Sequence, residues 1–409
     1  MPFIAIILFI VLADSVVWKG IRMLQPELSA NSLCTLKRVH WSVSGVFVLV
    51  MALGGLLKLE ARTSDQLLAF YRVFAVFLII YLPKITFAIW IGMVYGGSVF
   101  VRKRSRDNQS RRKGYTVTFM KVGLLLSLLT LTGVLLGMKY GKSDFEIRVH
   151  TLPLQGLPKD FDGLRIVHIS DLHLGSWGKD TLALQKAVSM IRSLHADVLV
   201  CTGDLVNNFQ EEALPYLSLF RELHFPEGKY FVSGNHDYGD YARTTLEGAP
   251  RRRNRTQLVA HIHAMGFSML DDTSGFLRRG NAVLGLAGTG YYNRKPEKQY
   301  ADLGKALQGT DSLSCILLFS HNPELFQDLV ADHPSIRLTL SGHTHGGQIG
   351  LPLGEKIISP IALRYKYWDG LYQNPSGQFL YVNRGLGFLG FPGRMGIPPE
   401  ITLLILKTE

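Results

Sequence analysis

Cysteine is scarce: the chain has three, Cys34, Cys201 and Cys315, in 409 residues. That excludes a disulfide framework and a thiolate metal site. Cys201 and Cys315 fall inside apolar runs (residues 197–202 and 314–319) and read as small core hydrophobes. Charge is also low, at 19% of residues against 47% hydrophobic, a balance that leans towards a membrane protein. Acidic residues are nearly missing from the first third. Residues 1–142 hold 18 Lys+Arg and 5 Asp+Glu, whereas residues 143–409 hold 26 and 27. The net charge of +12 therefore sits beside apolar segments, where it orients a chain in a bilayer. It is no argument for a nucleic-acid partner, and none is expected. No period of 20–50 residues recurs, which excludes a repeat architecture.

Four apolar stretches are present instead, at residues 2–18, 40–57, 67–95 and 119–138. A spanning helix needs about 20 mostly apolar residues. The first stretch is short and contains Asp14. It lacks the basic start and small-residue cleavage site of a signal peptide, so it reads as a retained helix. The third would be roughly 43 Å long as one helix, too short for two crossings, and reads as one tilted helix kinked at Pro83. Asp14 and Lys84 are costly at membrane depth unless paired or snorkelling. An ion pair joining helices one and three and two unrelated interfacial charges are both open. Residues 102–113 carry seven Lys/Arg and one acid, so this loop is expected on the cytoplasmic side. The basic loop between the first two helices agrees, and the balanced loop at residues 58–65 suits the outer side. The protein is thus expected to be multi-pass, with its C-terminal part on the outer face of the cytoplasmic membrane. The predicted division is a membrane region over residues 1–142 and a globular domain over residues 143–409.

The second part alternates strands with helices. Strands are predicted at residues 164–170, 197–202, 229–233, 283–287, 315–319, 337–340, 379–382 and 401–406. Helices are predicted around residues 179–194, 211–223 and 258–265. This is an α/β pattern. Five polar loops follow predicted strands: Asp171-Leu172-His173, Gly203-Asp204-Leu205, Gly234-Asn235-His236-Asp237, Ser320-His321-Asn322 and the run from Ser341 through Gly342-His343-Thr344-His345 to Gly347. Together they offer carboxylate, amide and imidazole ligands and no thiolate. That set suits Mn, Fe or Zn. Two such ions about 3.5–4 Å apart clamp a phosphoryl group, and a shared Asp can bridge them. His168, inside its strand, reads as a core histidine.

With all five motifs, the sequence resembles the calcineurin-like metallophosphoesterases over about residues 145–409. The resemblance implies a fold of two stacked mixed β-sheets flanked by helices, with two divalent metal ions at the strand ends. It implies that Asp171, His173 and His345 bind one metal, that Asn235, His321 and His343 bind the other, and that Asp204 bridges them. It further implies that His236 is the acid or phosphate-stabilising group, oriented by Asp237. Asn207 stands where many relatives of the wider family have a second acid, which concerns polarity around the ligands. A closer similarity is to the membrane-linked branch that includes transmembrane proteins with a metallophosphoesterase domain. It is carried by Asp162-Gly163-Leu164-Arg165-Ile166, the run from Ser341 to Gln348, Asn383-Arg384-Gly385-Leu386-Gly387 and Pro398-Pro399-Glu400-Ile401. Some proteins of that branch act on UDP-diacylglucosamine-type precursors of lipid A, which implies a phosphorylated, lipid-linked substrate.

Arg384, in a glycine-rich loop, is a candidate substrate-phosphate clamp, with a structural ion pair as the competing reading. The basic cluster Arg251, Arg252, Arg253 and Arg255 either meets lipid phosphates or forms a solvated helix start. The apolar residues among the glycines of 385–393 either contact the membrane or pack as a loop. A metal-dependent phosphoesterase or diphosphatase is the expected function. A non-catalytic membrane receptor or scaffold that keeps the fold is the alternative, and a transporter built on four helices a third.

Overall fold

The computed structural model describes residues 2–23, 29–56, 63–102, 109–178, 180–242, 246–354 and 356–409. The loops expected at residues 58–65 and 102–113 rest on positions 58–62 and 103–108, which lie outside the described residues. The chain forms two compact units, Met1–Glu60 with Arg72–Leu136, and Ala61–Tyr71 with Gly137–Glu409.

Four long helices carry the apolar stretches: α1 (Pro2–Met23), α2 (Ala30–Leu56), α3 (Ser64–Arg102) and α4 (Gln109–Lys139). All four are long and apolar enough to cross a membrane. Helix α3 continues through Pro83 as one element of 39 residues. Asp14 settles the open question about the embedded charges. Its carboxylate is fully buried, accepts a hydrogen bond from Lys84 Nζ at 2.7 Å and another from Tyr81 Oη at 2.9 Å. His40 Nε2 lies 3.1 Å from the Asp14 carbonyl. Asp14 and Lys84 therefore form an ion pair between α1 and α3, which removes the cost of an isolated charge at that depth.

The second unit stacks two six-stranded mixed sheets. The first runs in the order Glu146–Leu154, Glu400–Thr408, Arg165–Ile169, Val198–Cys201, Lys229–Phe231, Ser268–Met269. The second runs Gly370–Gln373, Phe379–Val382, Ile336–Ser341, Ile316–Phe319, Ala282–Gly288, Thr273–Arg279. Side chains of both sheets, among them Ile166, Val198 and Leu404 from one and Leu317, Phe319 and Leu338 from the other, form the core between them. Each sheet's other face is covered by helices. Leu184, Val188, Leu258 and Ile262 pack on the first, and Leu325 and Phe326 on the second. Central strands are thus buried on both faces, which is why they read as unbroken apolar runs. Register aligns their ends: Ile169 pairs with Cys201, Cys201 with Phe231, and Phe319 with Leu340. The loops that follow these strands consequently emerge side by side.

The residues at 385–393 form a packed loop, with Leu386, Phe388 and Phe391 buried. The predicted helix at 211–223 is instead a 3-10 segment, Gln210–Tyr216, followed by a short helix, Leu217–Arg221. Pro215 lacks the N–H that an α-helical turn would need.

Candidate metal centre

Asp171 and His173 follow the strand Arg165–Ile169, and Asp204 follows Val198–Cys201. Asn235 and His236 follow Lys229–Phe231, His321 follows Ile316–Phe319, and His343 and His345 follow Ile336–Ser341. Three overlapping groups converge there, each with ligand atoms within 4.8 Å of one another: Asp171, His173 and His345; His173, Asp204 and His236; Asp204, His321 and His343. Close approach of the loops depends on glycine. A Cβ on Gly342 would meet Ser170 Oγ and Asp171 Oδ2, and one on Gly234 would meet Asp204 Oδ1.

The backbone is strained where the ligands sit. Asp171 (φ 51°), His173 (φ 44°), Asp204 (φ 54°), His343 (φ 73°) and His345 (φ 53°) all adopt left-handed conformations. Such positions cost roughly 1–3 kcal/mol each and persist where surrounding bonds over-determine them. Here the Asp237 carboxylate accepts the N–H groups of Asp204, Leu205 and Gly234, each at 2.9 Å. Asp171 Oδ2 accepts the His343 N–H at 3.0 Å.

The donor set fits divalent cations. His173 Nε2 and His345 Nε2 face each other at 3.1 Å, as do His343 Nδ1 and His321 Nε2. Nδ1 of His173 and of His321 is turned to an oxygen, so Nε2 of each ring faces the cluster, the atom through which an imidazole would ligate a cation. Asp171 Oδ1 and Asn235 Oδ1 are buried without a hydrogen-bond partner, two free acceptors of the kind a cation takes up. The other ring nitrogens are held from behind. His321 Nδ1 lies 2.6 Å from the Thr202 carbonyl, His173 Nδ1 lies 3.0 Å from Asn207 Oδ1, and His343 Nε2 lies 3.0 Å from Tyr365 Oη. These contacts fix ring orientation, as outer partners of metal ligands do. Burial, reinforced by neighbouring positive groups, holds His173, His343 and His345 well below the usual histidine range, so their lone pairs are free. Burial also lowers His321, but Asp204 and Asp171 outweigh it and push that ring up to about 9. A bound cation would displace its proton.

A model of the family described as calcineurin-like phosphoesterase matches residues 164–347. The metallophosphoesterase YkuE of Bacillus subtilis is 34% identical over 274 residues, 64% of this chain and 86% of its own length. This chain belongs to the calcineurin-like phosphoesterases. A transmembrane protein with metallophosphoesterase domain from Danio rerio is 29% identical, covering 76% of this chain and 67% of the relative. The UDP-2,3-diacylglucosamine pyrophosphatase LpxG of Chlamydia trachomatis is 32% identical, covering 61% and 86%. The chain is accordingly a metallophosphoesterase-superfamily hydrolase associated with a membrane.

Within this calcineurin-like centre the structure corrects two expected roles. Asp237 does not touch the His236 ring. Its carboxylate is spent on backbone N–H groups, and the ring is oriented by the Asn207 carbonyl, 2.6 Å from Nδ1. Arg384 is not a phosphate clamp. It is 1% exposed, grips Asp369 with Nε at 2.6 Å and Nη2 at 2.9 Å, and reaches Glu146 with Nη1 at 3.2 Å. Of the basic cluster, Arg251 bonds the Tyr238 carbonyl and Arg255 bonds Asp271 and Ser233. Arg252 and Arg253 are exposed. His168 is a core residue, 2.9 Å from Thr202 Oγ1 and pushed by burial down to about 3.

Several partners escape sequence reasoning. Tyr241 stacks on His236 with centroids 4.4 Å apart and takes the Asn235 amide hydrogen at 2.9 Å. Arg394 is fully buried and donates to the carbonyls of Arg384, Gly385 and Gly387 behind the site. Asn207 differs from many relatives at its position, and it holds both His173 and His236. Its own N–H is held by the Glu212 carboxylate, whose other oxygen takes the Ser64 hydroxyl at 3.0 Å.

Burial pushes Glu212 up to about 7 from an ordinary 4.5. A carboxyl raised in the folded state costs stability once it ionises. Its penalty is absent below the unfolded value, grows as pH rises from 4.5 to about 7, and is constant above. The shift corresponds to on the order of 3 kcal/mol. Glu212→Gln is therefore expected to raise the thermal midpoint at pH 8 and leave it nearly unchanged at pH 4.5. Thermal unfolding of the detergent-solubilised chain at both values checks this. A lower midpoint at pH 8 would mean that ionised Glu212 stabilises the fold.

Proposed function

We propose that this protein hydrolyses a phosphoester or diphosphate bond of a lipid-linked substrate at the membrane surface, with two divalent ions as cofactors. The reading rests on one observation. Asp204 Oδ2 lies between two imidazole groups, 3.2 Å from His321 Nε2 and 3.6 Å from His173 Nε2. That is where a carboxylate shared by two cations belongs. Asp171, His173 and His345 would hold one ion, and Asn235, His321 and His343 the other. Such ions, when bound, supply Lewis-acid stabilisation of phosphoryl charge and a water nucleophile at neutral pH. His236 faces the cluster with Nε2, because Nδ1 is committed to the Asn207 carbonyl. In this reading it donates a proton to the leaving oxygen. The lipid-linked class is supported by the relative named as a UDP-2,3-diacylglucosamine pyrophosphatase.

Residues 1–142 would serve as the membrane anchor and residues 143–409 as the catalytic domain, on the outer face. The charge of the first part supports this orientation. Turnover is tested with detergent-solubilised chain and Mn²⁺, Fe²⁺ or Zn²⁺ on phosphomonoesters, phosphodiesters and lipid diphosphates. Loss with a chelator is expected, and no turnover on any of them would favour the scaffold. Orientation is tested with an impermeant thiol reagent on intact cells. Labelling of a Leu214→Cys variant is expected from outside, and protection of that site would reverse the topology.

A further inference from the structure

Leu351–Leu353 and Lys356–Ile358 form a two-stranded antiparallel hairpin that belongs to neither large sheet. Leu351 pairs across from Ile358, and Leu353 lies two residues along, so all three share one face. That face is uncovered: Leu351 is 58%, Leu353 55% and Ile358 60% exposed, and Leu363 just beyond is 94% exposed. Lys356, Arg364 and Lys366 are exposed among them. The opposite face, with Pro352 and Ile357, borders a cavity of about 500 Å³ whose other walls include Gly141 and Asp144. A two-stranded hairpin is marginal alone, and an apolar patch of this kind marks a contact surface.

The hairpin's position names the partner. Its root is bonded to the end of an apolar helix. Gly350 N–H donates to the Met395 carbonyl at 2.9 Å, and the neighbouring Arg394 N–H donates to the Gly137 carbonyl at 3.1 Å. Gly137 lies within the candidate span Val117–Ser143. The hairpin's root is thus bonded, within its own unit, to the residues at the C-terminal end of that apolar span. Apolar side chains interspersed with Lys and Arg beside the end of a membrane span are the composition of an interfacial segment facing anionic headgroups. The same segment reaches the metal cluster. Ser359 Oγ donates to the Gly346 carbonyl at 2.8 Å, and Tyr365 Oη lies 3.0 Å from His343 Nε2.

We propose that residues 351–354 and 356–366 form a lip that inserts into the lipid surface and guides a membrane-embedded phosphorylated lipid to the metal cluster. The substrate-guiding part rests on the lipid-phosphate reading above, whereas insertion into the bilayer does not. The test uses the full chain with Cys34→Ser, which leaves two buried thiols. The chain is reconstituted into phosphatidylcholine vesicles, with or without phosphatidylglycerol. An environment-sensitive dye is attached through Leu353→Cys, Ile358→Cys or, as a control on the far edge strand, Phe276→Cys. Doxyl-labelled lipid should quench the first two at least about twofold more than the control, and more so with phosphatidylglycerol. Equal, weak quenching at all three overturns insertion. In the same vesicles, the combined variant Leu351→Asn, Leu353→Asn, Ile358→Asn should lose about tenfold or more in kcat/KM on a lipid diphosphate. Its rate on soluble bis(p-nitrophenyl) phosphate should not change. Unchanged lipid turnover overturns the guiding role. Quenching without lipid turnover by the parent chain would remove the lipid-phosphate reading and leave insertion standing. Lipid turnover without quenching would do the reverse.

Discussion

Asp204→Ala is expected to abolish turnover and to strip the site of metal in the same step. Asp204 Oδ2 is 3.2 Å from His321 Nε2 and 3.6 Å from His173 Nε2, so it belongs to both halves of the cluster. Without its charge, two cations would repel each other with no ligand between them. The loss should exceed the ~10–100-fold in metal affinity that removal of an outer partner costs. Alanine also meets a strained backbone, because φ is 54° at this position. Asparagine tolerates that conformation far better. Asp204→Asn should therefore fold with a near-parental thermal midpoint yet lose metal, which separates charge from strain. Elemental analysis and turnover on one preparation decide the matter. Two ions per chain retained in Asp204→Asn would show that the carboxylate does not bridge.

The candidate ligand motifs were legible because each sits at the end of a strand buried on both faces, where a short apolar run stops abruptly at Asp, Asn or His. Edge elements were not. Glu146–Leu154 carries half-buried Glu146, Arg148 and His150 on the face that ends in buried Leu152 and Leu154, and Thr273–Arg279 is largely uncovered, so neither reads as an apolar run. The helix segment containing Arg251 and Arg255 was legible as a basic cluster, but its acidic partners Asp240 and Asp271 lie in other loops. The fate of Arg384 was hidden likewise, because Asp369 lies in another loop. Its second partner, Glu146, is 238 residues away, and the register of Glu146–Leu154 against Glu400–Thr408 brings that strand to the loop. The orienting group of His236 was invisible for a different reason. It is a backbone carbonyl, that of Asn207, and any residue type carries one. Asp237 is a misleading neighbour in sequence, because the carboxylate next to His236 turns to the N–H groups of Asp204, Leu205 and Gly234. Tyr365 could have been suspected only from an aromatic, basic stretch that looked like surface.

His236→Ala separates catalysis from metal binding. The ring stacks between Tyr241, with centroids 4.4 Å apart, and His173 at 4.9 Å and 86°. With Nδ1 bonded to the Asn207 carbonyl, Nε2 is left to face the cluster. That nitrogen has two possible uses, as a metal ligand or as a proton donor to the phosphate's leaving oxygen. Asp171, Asp204, Asn235 and the four other imidazoles would supply a donor set for two ions without it, so the second use is expected. His236→Ala should keep close to the parental metal content and lose kcat by on the order of 10²–10⁴-fold, as for an acid–base group. The loss should be smaller for a substrate with a good leaving group such as p-nitrophenolate, because that oxygen departs without a proton. Tyr241→Phe removes the phenol that meets Asn235 while keeping the stacked ring, and should leave this leaving-group dependence intact. If His236→Ala lost its metals, Nε2 would be a ligand. If it lost the same factor on every leaving group, it would act on the phosphoryl charge and not on the departing oxygen.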